Sequence, residues 1–193
     1  MKIGLYFGSF NPVHIGHLII AEYAATHTDM QQVWFVVSPQ NPLKQKKSLL
    51  NEYDRLYFVN LAIEGNEKLR ATDIEFKLAK PSYTVTTLAY LQEKYPQHQF
   101  SIIIGSDSFL NLANWYNYET LINITDFIVY ERPGFLIDEQ KTNNRIKFRI
   151  LKNTPILEIS ATYIRDCIKE KKSIRYLVHD AVYEEIEKNR YYL

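Results

Sequence analysis

The pattern of apolar and polar positions changes its period close to the start of the chain. Residues 3–7 form a short and nearly continuous apolar run, and from His17 onward apolar residues recur at helical spacing. A continuous run of this length is typical of a parallel strand that is covered on both faces. The change of period falls between Gly8 and Gly16. We therefore predict a strand, a short loop and a helix within residues 2–24.

Apolar runs and helical patterns go on alternating through the rest of the chain. The pattern predicts further strands at residues 33–37, 69–76, 100–104, 127–130 and 155–159. It predicts helices at residues 51–63, from about 81 to 95, after 160 and around 182–186. Residues 135–149 are polar and weakly patterned, and we predict an irregular excursion there. Strands that alternate with helices predict an α/β doubly wound parallel sheet with right-handed crossovers.

The helix predicted at residues 51–63 has an amphipathic pattern. One side of this helix collects Tyr53, Leu56, Tyr57, Asn60 and Leu61, whereas Glu52 and Arg55 lie on the other side. The tyrosine-bearing side is therefore predicted to be the buried one, with Arg55 opposite to it.

Composition limits the class of protein. A length of 193 residues suits one well-buried domain, so we predict a single domain over residues 1–193. With 23 basic and 22 acidic residues, the net charge of +1 gives no bulk attraction to nucleic acid or to a membrane surface. Any anion must therefore be bound by a local site. Exposed apolar patches are not visible in a sequence, so the formation of a homo-oligomer is left open.

Cellular location is indicated by features that the sequence lacks. No secretory apolar region follows the N-terminus, and no apolar run approaches the length needed to cross a membrane. The single cysteine, Cys167, cannot form an internal disulfide and is predicted to be a small packing residue. These features predict a cytoplasmic protein with no membrane partner.

The loop between the first strand and the first helix is a candidate anion site. In open parallel sheets, ligands bind at the carboxyl ends of the strands, where a helix N-terminus offers N–H groups and the positive end of its dipole. His14 and His17 stand in this loop and at this helix start. Imidazoles can donate hydrogen bonds to phosphate, but these two could also be ordinary polar residues or half of a metal site. Zinc would need further ligands, and the sequence has no cysteine cluster or second close histidine pair.

Three further segments carry candidate chemistry next to predicted strands. Gly105 and Asp107 follow one strand and could seat a ribose or an adenine amine, or could form a plain helix cap. Residues 160–165 offer two hydroxyls and an arginine that could converge on polyphosphate oxygens, or could form a capped helix with a surface arginine. Residues 40–47 carry three lysines, which could reach a phosphate crevice or be solvated.

Two of these segments carry a resemblance to a known family. Residues 8–17, GSFNPVHIGH, resemble the GTFDPxHxGH signature of the nucleotidylyltransferases of the HIGH superfamily, and residues 159–165, ISATYIR, resemble the ISSTxIR motif. Within the superfamily, the chain is most similar to the bacterial nicotinate-mononucleotide adenylyltransferases, over nearly its whole length. Phe7 and Asn11 depart from the family pattern, which has Gly and Asp there. Two phosphate motifs at opposite ends of one chain make a chance resemblance improbable.

The resemblance is looser between these two motifs. Residues 41–44, NPLK, resemble a PPHK-like element, with Asn and Leu in place of Pro and His. Residues 82–88, SYTVTTL, resemble the SYTxDTL element, with Thr in place of Asp. The block from Gly105 to Trp115 matches the pattern GxDxxxxLxxW in identity and spacing, and residues 132–134 match an RPG element.

The resemblance implies a Rossmann-like fold and a site with two halves. It implies that ATP is bound by Gly8, Ser9, Phe10, His14, His17, Gly105, Asp107, Ser160, Thr162 and Arg165. It implies that the second substrate is bound by Ser82, Tyr83, Thr84, Trp115, Tyr116 and Arg132. Catalysis is assigned to His14, His17, Lys44 and Arg165, which would stabilise negative charge on the leaving pyrophosphate.

The implied reaction belongs to NAD biosynthesis. An enzyme of this family moves AMP from ATP to the phosphate of nicotinate mononucleotide, giving deamido-NAD and pyrophosphate. Mg²⁺ would enter with ATP and keep mostly water and phosphate ligands, so no metal-binding residues are predicted. The sequence carries no motif for a covalent nucleophile, and alignment with charge stabilisation can drive such a transfer. Nicotinamide mononucleotide or phosphopantetheine as the second substrate, or a catalytically silent nucleotide-binding module, are the alternatives left open.

Overall fold

The chain folds into an alternating series of strands and helices. The computed structural model describes residues 1–40, 49–140, 142–155 and 157–193. The strands are β1 (Lys2–Gly8), β2 (Gln32–Val37), β3 (Leu69–Thr72), β4 (Gln99–Gly105), β5 (Asp126–Tyr130) and β6 (Phe148–Leu151). The α-helices are α1 (Ile15–His27), α2 (Glu52–Ile63), α3 (Thr84–Lys94), α4 (Ser106–Leu110), α5 (Tyr118–Ile124), α6 (Ala161–Lys169) and α7 (Asp180–Asn189). Short 3₁₀ helices span Ile74–Lys77 and Leu112–Asn114.

The six strands form one parallel sheet in the order β3-β2-β1-β4-β5-β6. This arrangement confirms the predicted doubly wound α/β fold. The strand order reverses direction between β1 and β4, and the carboxyl ends of these two strands carry Gly8 and Gly105. A crevice opens where the order of an open parallel sheet reverses, because the following helices pack on opposite faces. The fold therefore brings the two glycine-containing segments to one place.

Helices cover both faces of the sheet. On one face α1, α2, α6 and α7 enclose a core that includes Phe35, Phe58 and the buried Cys167. On the other face α3, α4 and α5 enclose a core that includes Leu88 and Phe127. Both faces of β1 are buried, which explains why its apolar run is nearly continuous. No helix within the described ranges is both long enough and apolar enough to cross a bilayer.

The predicted strand at residues 155–159 is wrong. Its described residues form no strand, and the sixth strand is Phe148–Leu151, which begins inside the segment predicted to be an excursion. β6 is a four-residue strand at the edge of the sheet, where Arg149 is exposed. A strand of only four residues, one of which is charged, does not produce a clear apolar pattern. At the opposite edge, β3 ends at Thr72 rather than continuing to residue 76.

The predicted buried face of α2 is also wrong. The buried residues of α2 are Arg55, Phe58, Val59 and Ile63, whereas 64% of Tyr53 and 47% of Tyr57 are exposed. The true stripe has the helical spacing expected of a packed face, but it includes a charged residue. Burial of the Arg55 guanidinium is tolerated because it donates hydrogen bonds to four main-chain carbonyls.

Candidate active site

The loop after β1 folds over an aromatic side chain. Phe10 has a φ of 46°, and its ring is 2% exposed, packed at 5.0 Å from the ring of His17 and 5.3 Å from that of Phe35. A Cβ added at Gly8 would lie 2.7 Å from the Phe10 ring, so only glycine fits beneath it. Gly8 thus shapes the loop, and any contact of Phe10 with ATP would have to use its main chain.

The two predicted histidines lie against each other at the start of α1. His14 is the N-cap residue, and the centroids of the His14 and His17 rings are 3.6 Å apart at an interplanar angle of 26°. The His14 main-chain N–H donates to His17 Nδ1 at 3.2 Å. Because Nδ1 accepts this bond, the proton of a neutral His17 ring lies on Nε2. His17 can therefore present an Nε2–H donor to a phosphate oxygen.

His14 is held in its neutral form. The residue is 5% exposed, and its Nδ1 has no hydrogen-bond partner within the described part of the chain. Burial, and secondarily the positive charge of Arg132, lower the pKa of His14 from its ordinary value of 6.5 to about 4. An incoming polyphosphate would act in the opposite direction on this pKa, because negative charge stabilises the imidazolium.

The low pKa of His14 predicts how stability depends on pH. Between pH 6.5 and pH 4 the unfolded chain binds a proton at His14 that the folded chain does not, so the free energy of unfolding falls as pH falls. The full difference is about 3 kcal/mol for this one group. Urea unfolding at several pH values should show a smaller pH dependence in His14→Asn than in the wild type. His27→Asn, at the exposed end of α1, serves as control, and equal slopes in His14→Asn and wild type would contradict the assignment.

Arg165 joins the motif of α6 to the loop after β1. Its Nη1 donates to the Asn11 carbonyl oxygen at 2.7 Å, and its Nη2 donates to Thr162 Oγ1 at 3.2 Å. Ser160 Oγ caps α6 by accepting the Tyr163 N–H at 3.1 Å. Arg165 and Asn11 are separated by 154 positions in the sequence. The structure thus brings the two predicted phosphate motifs together.

Asn11, which departs from the family pattern, has a structural contact of its own. It is 4% exposed, and its Oδ1 accepts the Leu50 main-chain N–H at 3.1 Å. A carboxylate at this position could accept the same hydrogen bond, because the bond uses an oxygen that Asp and Asn share. The departure is therefore compatible with the loop structure.

The segment after β4 meets the segment after β5. Ser106 Oγ accepts the Arg132 main-chain N–H at 2.9 Å, and Arg132 Nη2 donates to the Tyr130 hydroxyl at 2.9 Å. Arg132 Nε lies 3.3 Å from Asp107 Oδ1, in a pair whose side chains are 41% and 37% exposed. A Cβ added at Gly105 would collide with Asp107 Oδ1 and would lie 2.9 Å from Arg132 Nε. Arg132 is predicted to bind the second substrate, and Asp107 is predicted to bind ATP. The structure places the two side chains next to each other.

The other residues predicted for the second substrate lie near the start of α3. The Tyr83 and Tyr116 rings stack with centroids 4.3 Å apart at 30°. Tyr116 is 60% exposed, and Trp115 is half-buried against the core under α3. Ser82 is buried, and its hydroxyl donates to Glu75 at 2.7 Å. The structure thus groups Tyr83 with Tyr116 and turns Ser82 toward a carboxylate of the protein.

Arg55 contributes to the site although the sequence pattern does not reveal it. Its side chain is 0% exposed, and it donates to the carbonyl oxygens of Ser9 at 2.5 Å, Leu50 at 2.9 Å, Ser38 at 2.8 Å and Pro39 at 3.2 Å. These carbonyls belong to the loops after β1 and β2. The only sequence signal is its helical spacing with Phe58, Val59 and Ile63, which places it on the apolar stripe of α2.

The donors at this site suit an anion. Hydroxyls, ring N–H groups and guanidinium groups from three segments meet at the carboxyl edge of the sheet. No three His, Cys, Asp or Glu side chains come together as a metal site in residues 1–40, 49–140, 142–155 and 157–193. The predicted Lys44 lies outside these ranges. The geometry is that of a nucleotide-binding crevice of an α/β protein.

Comparison with known proteins agrees with this class. Residues 5–167 match the family model described as cytidylyltransferase-like, and the chain belongs to that family of nucleotidylyltransferases. A relative from Cytophaga hutchinsonii, named probable nicotinate-nucleotide adenylyltransferase, is 52% identical over 192 residues, which are 100% of this chain and 98% of the relative. A relative of the same name from Flavobacterium psychrophilum is 51% identical over 100% of this chain and 99% of its own length. Another, from Bacillus licheniformis, is 35% identical over 99% of this chain and 98% of its own length. Within the larger family, the chain belongs to the nicotinate-nucleotide adenylyltransferases.

Solved structures share the fold. A nicotinic acid mononucleotide adenylyltransferase from Plasmodium falciparum, complexed with NaAD, superposes with a TM-score of 0.80 at 21% identity, over 99% of this chain and 97% of that chain. A putative nicotinate-nucleotide adenylyltransferase from Vibrio parahaemolyticus has a TM-score of 0.71 at 22% identity, over 99% and 94% of the two chains. These structures confirm the predicted fold, and the family model and the curated relatives confirm the predicted family and enzyme class.

Proposed function

We propose that this chain transfers the adenylyl group of ATP to the phosphate of nicotinate mononucleotide. The observation that carries the proposal is the 2.7 Å contact of Arg165 with the Asn11 carbonyl, which joins two phosphate motifs beside the His14–His17 pair. The curated relatives are identical to this chain at up to 52% of positions over its full length. Their names support the choice of nicotinate mononucleotide as the second substrate.

The reaction is a single in-line displacement. A phosphate oxygen of nicotinate mononucleotide forms a bond to the α-phosphorus of ATP, and the bond from that phosphorus to the oxygen bridging it to the β-phosphorus breaks. Pyrophosphate leaves with the electron pair, and deamido-NAD is the other product. No general base is required, because the attacking phosphate is already an anion. Catalysis then consists of alignment and stabilisation of the charge that develops on pyrophosphate.

The residues around the loop after β1 are proposed to stabilise this charge. His17 donates from Nε2, because its Nδ1 accepts the His14 N–H. Arg165 uses one N–H for Asn11 and one for Thr162, and its remaining donors suit polyphosphate oxygens. His14 and Ser160 complete this half of the site, and Lys44, outside the described residues, stays assigned to it by the family resemblance. Mg²⁺ entering with ATP would neutralise part of the phosphate charge.

The adenosine is proposed to lie across the end of β4. Gly105 has no side chain, so a ligand can approach its main chain closely. The Asp107 carboxylate beside it can accept hydrogen bonds from a ribose or an amine. Gly8, Ser9 and the main chain of Phe10 line the facing loop. Arg132 stands between Asp107 and the second substrate in this proposal, fixed by Ser106 and Tyr130.

The second substrate is proposed to contact Tyr83, Thr84, Trp115 and Tyr116, and the predicted Ser82 to support these residues from below, because its hydroxyl donates to Glu75. The rings of Tyr83 and Tyr116 are already in direct stacking contact at 4.3 Å, so a pyridine ring cannot lie between them as they stand. The pyridine would stack on the block formed by Trp115 and the exposed Tyr116. Main-chain N–H groups would distinguish the nicotinate carboxylate from an amide.

Replacing Trp115 with alanine is expected to raise the KM for nicotinate mononucleotide about tenfold, because an aromatic stacking contact is lost. The KM for ATP should stay within about twofold, since Trp115 is assigned to the other half of the site. Steady-state pyrophosphate release, with each substrate varied in turn, measures both constants. Trp115→Phe retains a ring and should keep most of the affinity. Equal increases in the two KM values would refute the stacking role.

The function itself is tested by pyrophosphate release from ATP with three acceptors. We expect nicotinate mononucleotide to give a kcat/KM well above those of nicotinamide mononucleotide and phosphopantetheine. A preference for either of the other two acceptors would replace the proposed substrate, and release with none of them would indicate a catalytically silent nucleotide-binding module.

The proposal includes a cytoplasmic location, where ATP is available, and a single domain over residues 1–193, which the one continuous sheet supports.

A further inference from the structure

A buried carboxylate lies beneath the start of α3. Glu75, in the 3₁₀ helix Ile74–Lys77, is 2% exposed. Its Oε2 accepts the Ser82 hydroxyl at 2.7 Å, and its Oε1 accepts the Thr87 hydroxyl at 2.8 Å. Burial raises the pKa of the Glu75 carboxyl group, and the side chains of Ser82, Thr87 and Ser38 act against that shift. Within the described ranges, no lysine or arginine forms an ion pair with Glu75.

Burying a carboxylate costs desolvation free energy, which indicates that Glu75 has a specific role. A buried charge without an ionic partner must be stabilised by hydrogen-bond donors, and each hydroxyl has one proton to give. Ser82 and Thr87, which donate the two hydrogen bonds, come from the loop before α3 and from the first turn of α3. Both hydroxyl groups must therefore be held in place together for the carboxylate to keep its hydrogen bonds.

The residues between these donors are the ones assigned to the second substrate. Tyr83 and Thr84 lie between Ser82 and Thr87, so both ends of this short segment are fixed to Glu75. Tyr83 in turn stacks on Tyr116 at 4.3 Å. The position of the Glu75 carboxylate therefore helps to fix the Tyr83 ring and, through the stacking contact, the Tyr116 ring. Both rings belong to the acceptor half of the site, which is the half assigned to nicotinate mononucleotide.

We propose that Glu75 is a positioning residue that sets the geometry of the acceptor half of the site through the hydroxyls of Ser82 and Thr87. The proposal rests on the proposed function. It assigns Ser82 an indirect role, because its hydroxyl is directed to Glu75 rather than to a substrate. The ATP half is held by other contacts, such as that of Arg165 with Asn11, which do not involve Glu75.

The sharpest test is substitution of Thr87, which keeps the packing but removes one donor. Thr87→Val is nearly isosteric at this fully buried position and leaves one carboxylate oxygen of Glu75 without the Thr87 proton. We expect the KM for nicotinate mononucleotide to rise about tenfold, with the KM for ATP within about twofold. Thr87→Ser restores the hydroxyl and should restore the KM. Asp73→Asn removes a carboxylate that pairs with Lys77 on the surface of the same segment, and should change neither constant.

A second substitution links the effect to Glu75 itself. Glu75→Gln removes the buried charge, so a subsequent loss of the Thr87 donor leaves a neutral group rather than an ion unsatisfied. The acceptor KM of the double variant Glu75→Gln, Thr87→Val should therefore be no higher than that of Thr87→Val alone, whereas independent effects would multiply. If Thr87→Val does not fold, Ser82→Ala with and without Glu75→Gln provides the same comparison.

The outcomes separate this inference from the function on which it rests. A wild-type protein that releases no pyrophosphate with nicotinate mononucleotide overturns the proposed function and the positioning role with it. An active wild type, with equal KM increases for both substrates or a loss of thermal stability alone in Thr87→Val, overturns only the positioning role. Multiplying effects in the double variant do the same, because they show that the two residues act separately.

Discussion

Replacing His17 with alanine is expected to lower kcat for pyrophosphate release by about 10²–10³-fold, the usual cost of removing one preorganised donor from a developing negative charge. The KM for ATP should change by less than about threefold, because a contact that strengthens in the transition state is reported in kcat. The reason lies in the orientation of the ring: His14 N–H fixes Nδ1 as an acceptor, which leaves Nε2 as the donor. Steady-state kinetics with saturating nicotinate mononucleotide measures both constants.

The matched control is on the same helix. His27 is exposed at the far end of α1, so His27→Ala removes an imidazole without touching the crevice. It should leave kcat and both KM values unchanged. A His17→Ala variant that turns over like the wild type would exclude His17 from charge stabilisation.

Replacing Arg165 with lysine is expected to lower kcat/KM for ATP by about 10²-fold although the positive charge is kept. One ammonium group cannot donate to the Asn11 carbonyl, to Thr162 Oγ1 and to phosphate oxygens with the spacing of a planar guanidinium. The loss should appear partly in KM, because the loop after β1 is also released from α6. Comparison with Arg149→Lys, on the exposed edge strand β6, shows what the same exchange does elsewhere. Equal activity of the two variants would mean that charge alone suffices at position 165.

The central strands could be predicted from the sequence because their apolar runs are long and continuous. β1, β2, β4 and β5 lie close to the predicted positions, since each is covered by helices on both faces. The edges of the sheet could not be predicted as well. β6 exposes Arg149 and is only four residues long, and β3 ends where a 3₁₀ helix begins. A short edge strand produces too few apolar positions to be distinguished from a loop.

The meeting of distant motifs could be predicted because topology enforces it. β1 and β6 run in parallel, so the chain leaves both strands at the same edge of the sheet, and beyond β6 it brings Arg165 of the second motif to Asn11 of the first. The supporting residues could not be predicted. Arg55 and Glu75 are charged, and their burial depends on carbonyls and hydroxyls contributed by segments far away in sequence. A local pattern counts such residues as solvent-facing, which is why the buried side of α2 was predicted wrongly.

The buried Arg55 has a consequence for how the crevice attracts its ligand. In the part of the chain that the structure describes, the guanidinium is solvated by main-chain carbonyl dipoles and forms no ion pair with a carboxylate. Dipoles orient around a charge but do not cancel it, so the field of this cation extends toward the loops that its own hydrogen bonds hold in place. In the proposed function, this buried cation would give a chain with a net charge of only +1 a positive potential at the crevice, and salt would screen that potential less than it screens the potential of surface lysines.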